Sequence, residues 1–387
     1  MHAPLRAPSL TAVYLLVCFY TLHVAVPAYI NSSFLELLTN QKTVGLVFAG
    51  ASLVSIVALA WSPRILKSMG DFSTTLIFLT AEVAIFFGLA TLKDPVLLIA
   101  LFIISYALIY LISLDLDLIV ESFSKDAATG STRGLYLTSA NIAWVLAPIL
   151  AAGILRNGDY WRVYMAAAFL LIPALVIFAR RLEHFRDPRY RSTPLFETAR
   201  AVWQSKDLRN IFAASLILNF FFTWMVIYTP VYLHEQLSFP WEDIGIMFSI
   251  MLVPFLLLEA PLGRIADRYL GEKELLTLGF VIIAVATMLM SFVTDNAFLT
   301  WTALLFATRV GAACVEIMSE TYFFKKIDGR DANIISFQRT VRPLAGIIGP
   351  LTASALLLFI PFQYLFLALG LITLLGVPFS LGIKDTR

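Results

Sequence analysis

Charge is what this chain lacks most. Lys, Arg, Asp and Glu make up only 14% of its 387 residues, against 59% apolar residues. A soluble domain carries about a quarter charged residues, so an ordinary water-facing surface is excluded. The mean hydropathy of +0.83 agrees. Cysteine is nearly absent: Cys18 and Cys314 both lie in apolar stretches, which rules out a disulfide framework and reads as two small buried thiols. No G-x-x-x-x-G-K-[ST] phosphate loop occurs, no serine elbow occurs, and His234-Glu235 has no second histidine to complete a zinc-hydrolase helix. ATP-driven work and hydrolysis are therefore not expected of this chain, and no cofactor or metal is implied.

What the chain does have is long apolar runs. Twelve are expected to span a bilayer, near 10–30, 43–62, 73–92, 96–120, 134–155, 160–179, 209–232, 243–262, 274–294, 298–319, 332–359 and 362–382. About 20 residues at 1.5 Å each cross a hydrocarbon core of about 30 Å. The first run is longer than the core of a secretory signal and contains Pro27, so it is read as a span. With the N-terminus inside, only Lys42, Lys93, Arg156 and Arg162 of the 28 basic residues fall outside. Both termini are then cytoplasmic. The connection from Arg180 to Arg209 carries eight basic and four acidic residues and separates residues 1–180 from 209–387, with 181–208 as a cytoplasmic linker. In it Leu195, Ala199, Val202 and Trp203 share one helical face, which fits an amphipathic helix at the inner leaflet or a plain tether. Short outer loops and a single glycosylation-type triplet, Asn31-Ser32-Ser33, favour a prokaryotic inner membrane.

Between two runs lies PLGRIADRYLGEK, in which Gly263, Asp267, Arg268 and Gly271 form G-x-x-x-D-R-x-x-G. This resembles the short cytoplasmic loop motif of major facilitator superfamily transporters. The resemblance implies an all-α membrane protein of twelve transmembrane helices in two pseudo-symmetric six-helix halves. It also implies a glycine turn and an Asp/Arg pair that locks the helices to a neighbour. An internal repeat agrees: 117–148 lies on 316–350, pairing Asp117 with Glu316 and Glu121 with Glu320. Repeats of this kind hold substrate between them near the membrane midplane. The pairs Glu121 with Arg133 and Glu320 with Arg330 resemble the gate of sugar-porter members of the superfamily; the competing reading is solvated charges at helix ends. Laying 62–70 on 263–271 keeps Gly70 and a cation, Lys67, but puts Leu66 where Asp267 stands. Either the first-half latch is weak or Asp71 replaces it.

Charges deep in spans are costly unless paired or wet, so they are the site candidates. Tyr106, Tyr110, Ser113, Asp117 and Glu121 line one face of span four, and Thr302, Arg309, Glu316 and Glu320 do so in span ten. Arg309 sits about 18 Å from the outer end of its helix. It is read either as a cation for an anionic substrate or as a structural partner of Glu316 or Asp117. Asp117 and Glu316 are the candidate proton-coupling carboxylates. His23 reads as a substrate or proton group, or as a hydrogen-bonded interior histidine. Asn219, Thr223 and Asn141 read as substrate ligands or as polar contacts between helices. Glu82 and Glu259 are expected in support roles, and Arg339 and Arg342 to answer the acidic end of span ten. The function implied is proton-coupled transport of a small organic solute by alternating access, with export slightly favoured; the rival is a lipid scramblase or sensor on the same fold. A solute, protons and membrane lipids are the expected partners, without nucleic acid, and the chain is expected to be a monomer.

Overall fold

A computed structural model describes residues 10–28, 30–39, 41–123, 129–154, 159–183, 195–327 and 331–384. The described residues form α-helices: α1 Leu10–Ala28, α2 Asn31–Leu38, α3 Gln41–Met69, α4 Asp71–Thr91, α5 Pro95–Phe123, α6 Thr129–Ile154, α7 Tyr160–Arg181, α8 Leu195–Gln204, α9 Lys206–Val231, α10 Trp241–Ile265, α11 Lys273–Met290, α12 Phe298–Lys326, α13 Ala332–Arg339, α14 Val341–Leu356, α15 Tyr364–Leu374 and α16 Gly376–Leu381. Two π-helical turns, Tyr232–Gln236 and Ala266–Leu270, extend α9 and α10. Helix is the structure an apolar chain must adopt where lipid offers the backbone no hydrogen bonds. Ten helical stretches among the described residues are long and apolar enough to cross a membrane. The other two expected runs correspond to α6 and to α13 with α14. Large apolar side chains stand exposed, Val226 at 65% and Leu257 at 60% among them. In water that would be an aggregation liability; in a membrane protein it is tolerated.

Two expected runs are broken, each by proline. The ring of Pro343 excludes the carbonyl of Arg339, four residues back, and α13 ends there; Pro378 does the same to Leu374 at the end of α15. Helix α2 was not expected. In α8, Thr198 and Val202, one turn apart, are buried, while Phe196 and Trp203 are exposed. Trp203 sits 100° around the helix from Val202, the residue that packs.

The chain forms two compact units. The first comprises residues 1–124, 139–198 and 329–340, and the second 125–138, 199–328 and 341–387. The start of α6 thus belongs to the second unit, and α13 to the first. In the first unit α1 and α4 both pack on α7, and α3 and α4 pack on α5, with Val13, Leu16, Ala167 and Leu171 fully buried. In the second, α10 and α11 pack on α12, α14 packs on α9, and α11 packs on α15. Gly279 of α11 faces Gly311 of α12 so closely that a Cβ on either would stand 2.8 or 2.6 Å from the other's carbonyl oxygen. Small residues bring helices this close when no water drives them together.

Candidate functional site

The stretch from Gly263 to Gly271 is built for a close helix approach and a tight turn. Gly271 has φ 77°, a left-handed conformation that an L side chain rarely adopts. Gly263 lies back to back with Gly130 of α6, and a side chain on either would collide with the other's carbonyl oxygen. One turn on, a Cβ at Gly134 would meet the Glu259 carbonyl at 2.8 Å. Gly130 and Gly134 form a small-x-x-x-small stripe that seats the start of α6 on α10.

That approach brings the first turn of α6 to Asp267. The Asp267 carboxylate accepts the backbone N–H groups of Gly130 at 3.2 Å and Ser131 at 2.9 Å. These groups have no partner within their own helix, and the positive end of the α6 dipole faces the carboxylate. Lys325, at the end of α12, lies 3.0 Å from Asp267 Oδ1 and 2.6 Å from the fully buried Glu272. Lys325 is a cation on Asp267 that sequence reasoning missed; Arg268 is exposed. Glu272, directly after the turn glycine, was the visible signal for such a cation. Arg133 is fully buried, its guanidinium 3.2 Å above the Phe324 ring.

The first unit repeats the turn with other chemistry. Gly70, at φ 77°, matches Gly271, and Leu66 is buried where an aspartate was absent. At the position matching Gly263, Ser62 donates to Ser336 of α13 at 3.2 Å, and Ser336 donates in turn to the Leu59 carbonyl. Arg339 of α13 pairs with Asp117 of α5 at 2.5 Å. Asp71 accepts from Thr75 at 3.0 Å, and the same hydroxyl lies 3.0 Å from Asp115 of α5. A serine pair and a salt bridge thus hold α13 where a carboxylate cap holds α6. This corrects the expectation for Arg339: Arg342 lies 3.5 Å from Glu316, but the break at Thr340 leaves Arg339 on α13, which packs on α3 and α5.

Arg309 is 3% exposed, and its guanidinium stands 5.2 Å from the Phe221 ring and 5.9 Å from Phe222. Its Nη1 is buried without a hydrogen-bond partner among the described residues. The carboxylates expected as structural partners are bound to other arginines, Glu316 to Arg342 and Asp117 to Arg339. In the same unit Asn219 donates to Ser215 O at 2.8 Å and Thr223 to Asn219 O at 2.9 Å, each bonding back along α9. In the first unit Tyr106 and Tyr110 are half-buried, rings 5.5 Å apart, and Tyr106 lies near Phe48 and Phe102. Asn141, Glu121 and Glu320 are half-buried. Arg330 lies outside the described residues. His23 is fully buried beside Glu82, a pairing the sequence did not suggest. Among the described residues no group of three or more His, Cys, Asp or Glu is placed to hold a metal ion.

Solved structures show the fold. The human organic anion transporter MFSD10 (TETRAN) is similar with a TM-score of 0.78 at 15% identity, over 98% of this chain and 100% of that one. A bacterial homologue of the iron transporter ferroportin, in an outward-facing state, is similar with a TM-score of 0.73 at 12% identity, over 96% of this chain and 97% of that one. No curated protein sequence matches significantly. The sequence profile described as Major Facilitator Superfamily matches residues 118–253 and 242–386. With the profile covering more than half of its length and the fold agreeing throughout, this multi-pass membrane protein belongs to the Major Facilitator Superfamily.

Proposed function

We propose that the protein is a secondary transporter that moves a small organic anion by alternating access, coupled to protons. The single observation that carries the reading is Arg309: a cation buried deep in α12, among aromatic rings, whose Nη1 has no protein partner among the described residues. A lone buried charge is costly, so the arginine is poised for an anion from outside the protein. The rings of Phe221 and Phe222 suit an amphipathic anion with an apolar body. The similarity to an organic anion transporter supports the class. Asp117 and Glu316 are proposed to respond to protons: each bonds an arginine, a partner with which a proton on the carboxylate would compete. Asn219, Thr223, Tyr106, Tyr110 and Asn141 are proposed to shape the solute's path, and export is the favoured direction. The basic asymmetry supports cytoplasmic termini in a plasma membrane, the prokaryotic inner membrane being favoured.

The cap on α6 and the α13 contacts are proposed as latches that must release for one conformation to replace the other. Asp267 and Lys325 act in the first of these. Ser62, Ser336, Asp117 and Arg339 act in the second. Glu121, Arg133, Arg268, Glu320 and Arg330 remain the proposed surrounding gate.

Three tests follow from this reading. Single cysteines at Ser192 and Asn296, in a background without Cys18 and Cys314, should label from opposite sides of the membrane; labelling from the same side contradicts the topology. Asp267→Asn removes about 1–2 kcal/mol of charge-assisted capping and should raise thiol labelling of a Ser131→Cys reporter roughly 5- to 30-fold. An unchanged labelling rate would contradict a latch role. In proteoliposomes with an imposed pH gradient, a panel of anionic solutes should include at least one that accumulates. Arg309→Gln should weaken its uptake at least ~30-fold, the cost of losing a buried charge partner. Equal uptake by wild type and Arg309→Gln would exclude the arginine, and lipid flipping without any solute accumulation would favour a scramblase.

A further inference from the structure

The first unit buries an ionisable cluster of its own. His23 of α1 and Glu82 of α4 are both 0% exposed, with Nε2 3.6 Å from Glu82 Oε1. Ser105 of α5 donates its hydroxyl to the same Oε1 at 2.6 Å. The other ring nitrogen, Nδ1, is hydrogen-bonded to the Tyr20 carbonyl. A carbonyl only accepts, so Nδ1 carries a hydrogen, and Nε2, facing the carboxylate, is the nitrogen left to gain or lose one. Glu82 Oε2 and His23 Nε2 are both buried without a hydrogen-bond partner among the described residues.

The proton count of this pair decides its charge. With Nδ1–H alone and an ionised Glu82 the cluster is −1. One further proton, on Nε2 or on the carboxyl, makes it neutral. A buried net charge is the costly state in an apolar interior, so gain and loss of that one proton is the transition this cluster is built around. Among the described residues, the groups facing it are neutral: Tyr20 from α1, its ring 5.0 Å from His23; Phe86 from α4, at 5.2 Å; and Ser105 from α5. Beyond Phe86, Tyr164 of α7 gives its hydroxyl to Asn31.

We propose that the His23–Glu82 pair, anchored by Ser105, is the site that takes up and releases the coupling proton. The proposal rests on the proton-coupled reading above and moves the site of proton uptake from Asp117 and Glu316, each held by an arginine, to this pair. The proton enters as the pair goes from −1 to neutral and leaves by the reverse step, with no other bond made or broken. Its effect reaches α5 through two contacts. Ser105 bonds strongly to an ionised Glu82 and less strongly to a protonated one. Tyr20, whose carbonyl holds His23, gives its hydroxyl to the Ile109 carbonyl at 2.6 Å and lies 3.1 Å from Ser113. Ser113 is one turn from Asp117, which holds Arg339 of α13. Protonation thus acts on the helix that carries the α13 latch.

The test uses the full chain in lipid nanodiscs, labelled at the ring carbons of its four histidines, and needs no substrate. The resonance missing in His23→Asn, or the carboxylic-acid infrared band missing in Glu82→Gln, should titrate in the wild type between about pH 5 and 9. In Glu82→Gln the His23 midpoint should fall by at least about one unit, because the anion that favours imidazolium is gone. Ser105→Ala removes only a donor to the carboxylate. It should move the midpoint of the pair upward and shift the transport pH profile the same way, and it serves if Glu82→Gln does not fold. In proteoliposomes Glu82→Gln should lose gradient-driven accumulation while keeping counterflow exchange near the wild-type rate. A silent His23 resonance with no carboxyl band, or full gradient-driven transport in Glu82→Gln, overturns the proposal. A wild type that titrates here yet shows no proton-driven transport overturns the coupled reading instead, so the two failures are distinguishable.

Discussion

A charge inside an apolar helix bundle must find a partner or pay several kcal/mol, and that constraint organises this molecule. Asp267 finds two backbone N–H groups and Lys325; Asp117 finds Arg339; Glu316 finds Arg342; Glu82 finds Ser105 and His23. Each partnership joins different helices or turns, so each is also a mechanical tie. Arg309 stands apart, with aromatic faces near it and Nη1 unsatisfied. In the proposed account, the same cost that makes the paired charges hold helices makes Arg309 a place for a solute anion.

The two turn loops show how one geometry supports different chemistry. Gly70 and Gly271 adopt the same φ of 77°. After Gly271 the chain supplies Glu272 and Lys325 around Asp267, giving a cap whose strength comes from charge. After Gly70 the contacts to α13 run through the Ser62 and Ser336 hydroxyls and the Asp117–Arg339 pair. Neutral hydroxyl bonds are the weaker kind. In the proposed account the two latches therefore differ in chemistry, and the second, resting on Asp117, is the one within reach of the protonatable cluster on α1, α4 and α5.

The membrane class and the helices were legible because hydropathy and length are local properties, and the turn at Gly271 because a glycine in that motif has a local reason. The breaks after Arg339 and Leu374 were also readable from Pro343 and Pro378, although two continuous runs were expected there. What local reasoning missed depends on which helices meet. Lys325 reads as an ordinary end-of-helix cation until α12 brings it to Asp267 and Glu272. Arg339 reads as a partner for span ten until α13 is seen to lie on α3 and α5. His23 and Glu82 sit 59 positions apart, on helices whose contact no periodicity reveals. The candidate stripe on span four was only partly read: its Tyr106 and Tyr110 join an aromatic cluster with Phe48 and Phe102.

The central claim is that Arg309 is the cation of the solute site. The most direct measurement is calorimetric binding, to purified protein, of a transported carboxylate solute and of its amide isostere, the two differing in charge and nearly matched in shape. The account predicts that wild type binds the carboxylate at least ~30-fold more tightly than the amide, and that Arg309→Gln removes this preference while its thermal midpoint stays close to wild type. Equal preference for the carboxylate in wild type and Arg309→Gln would contradict it.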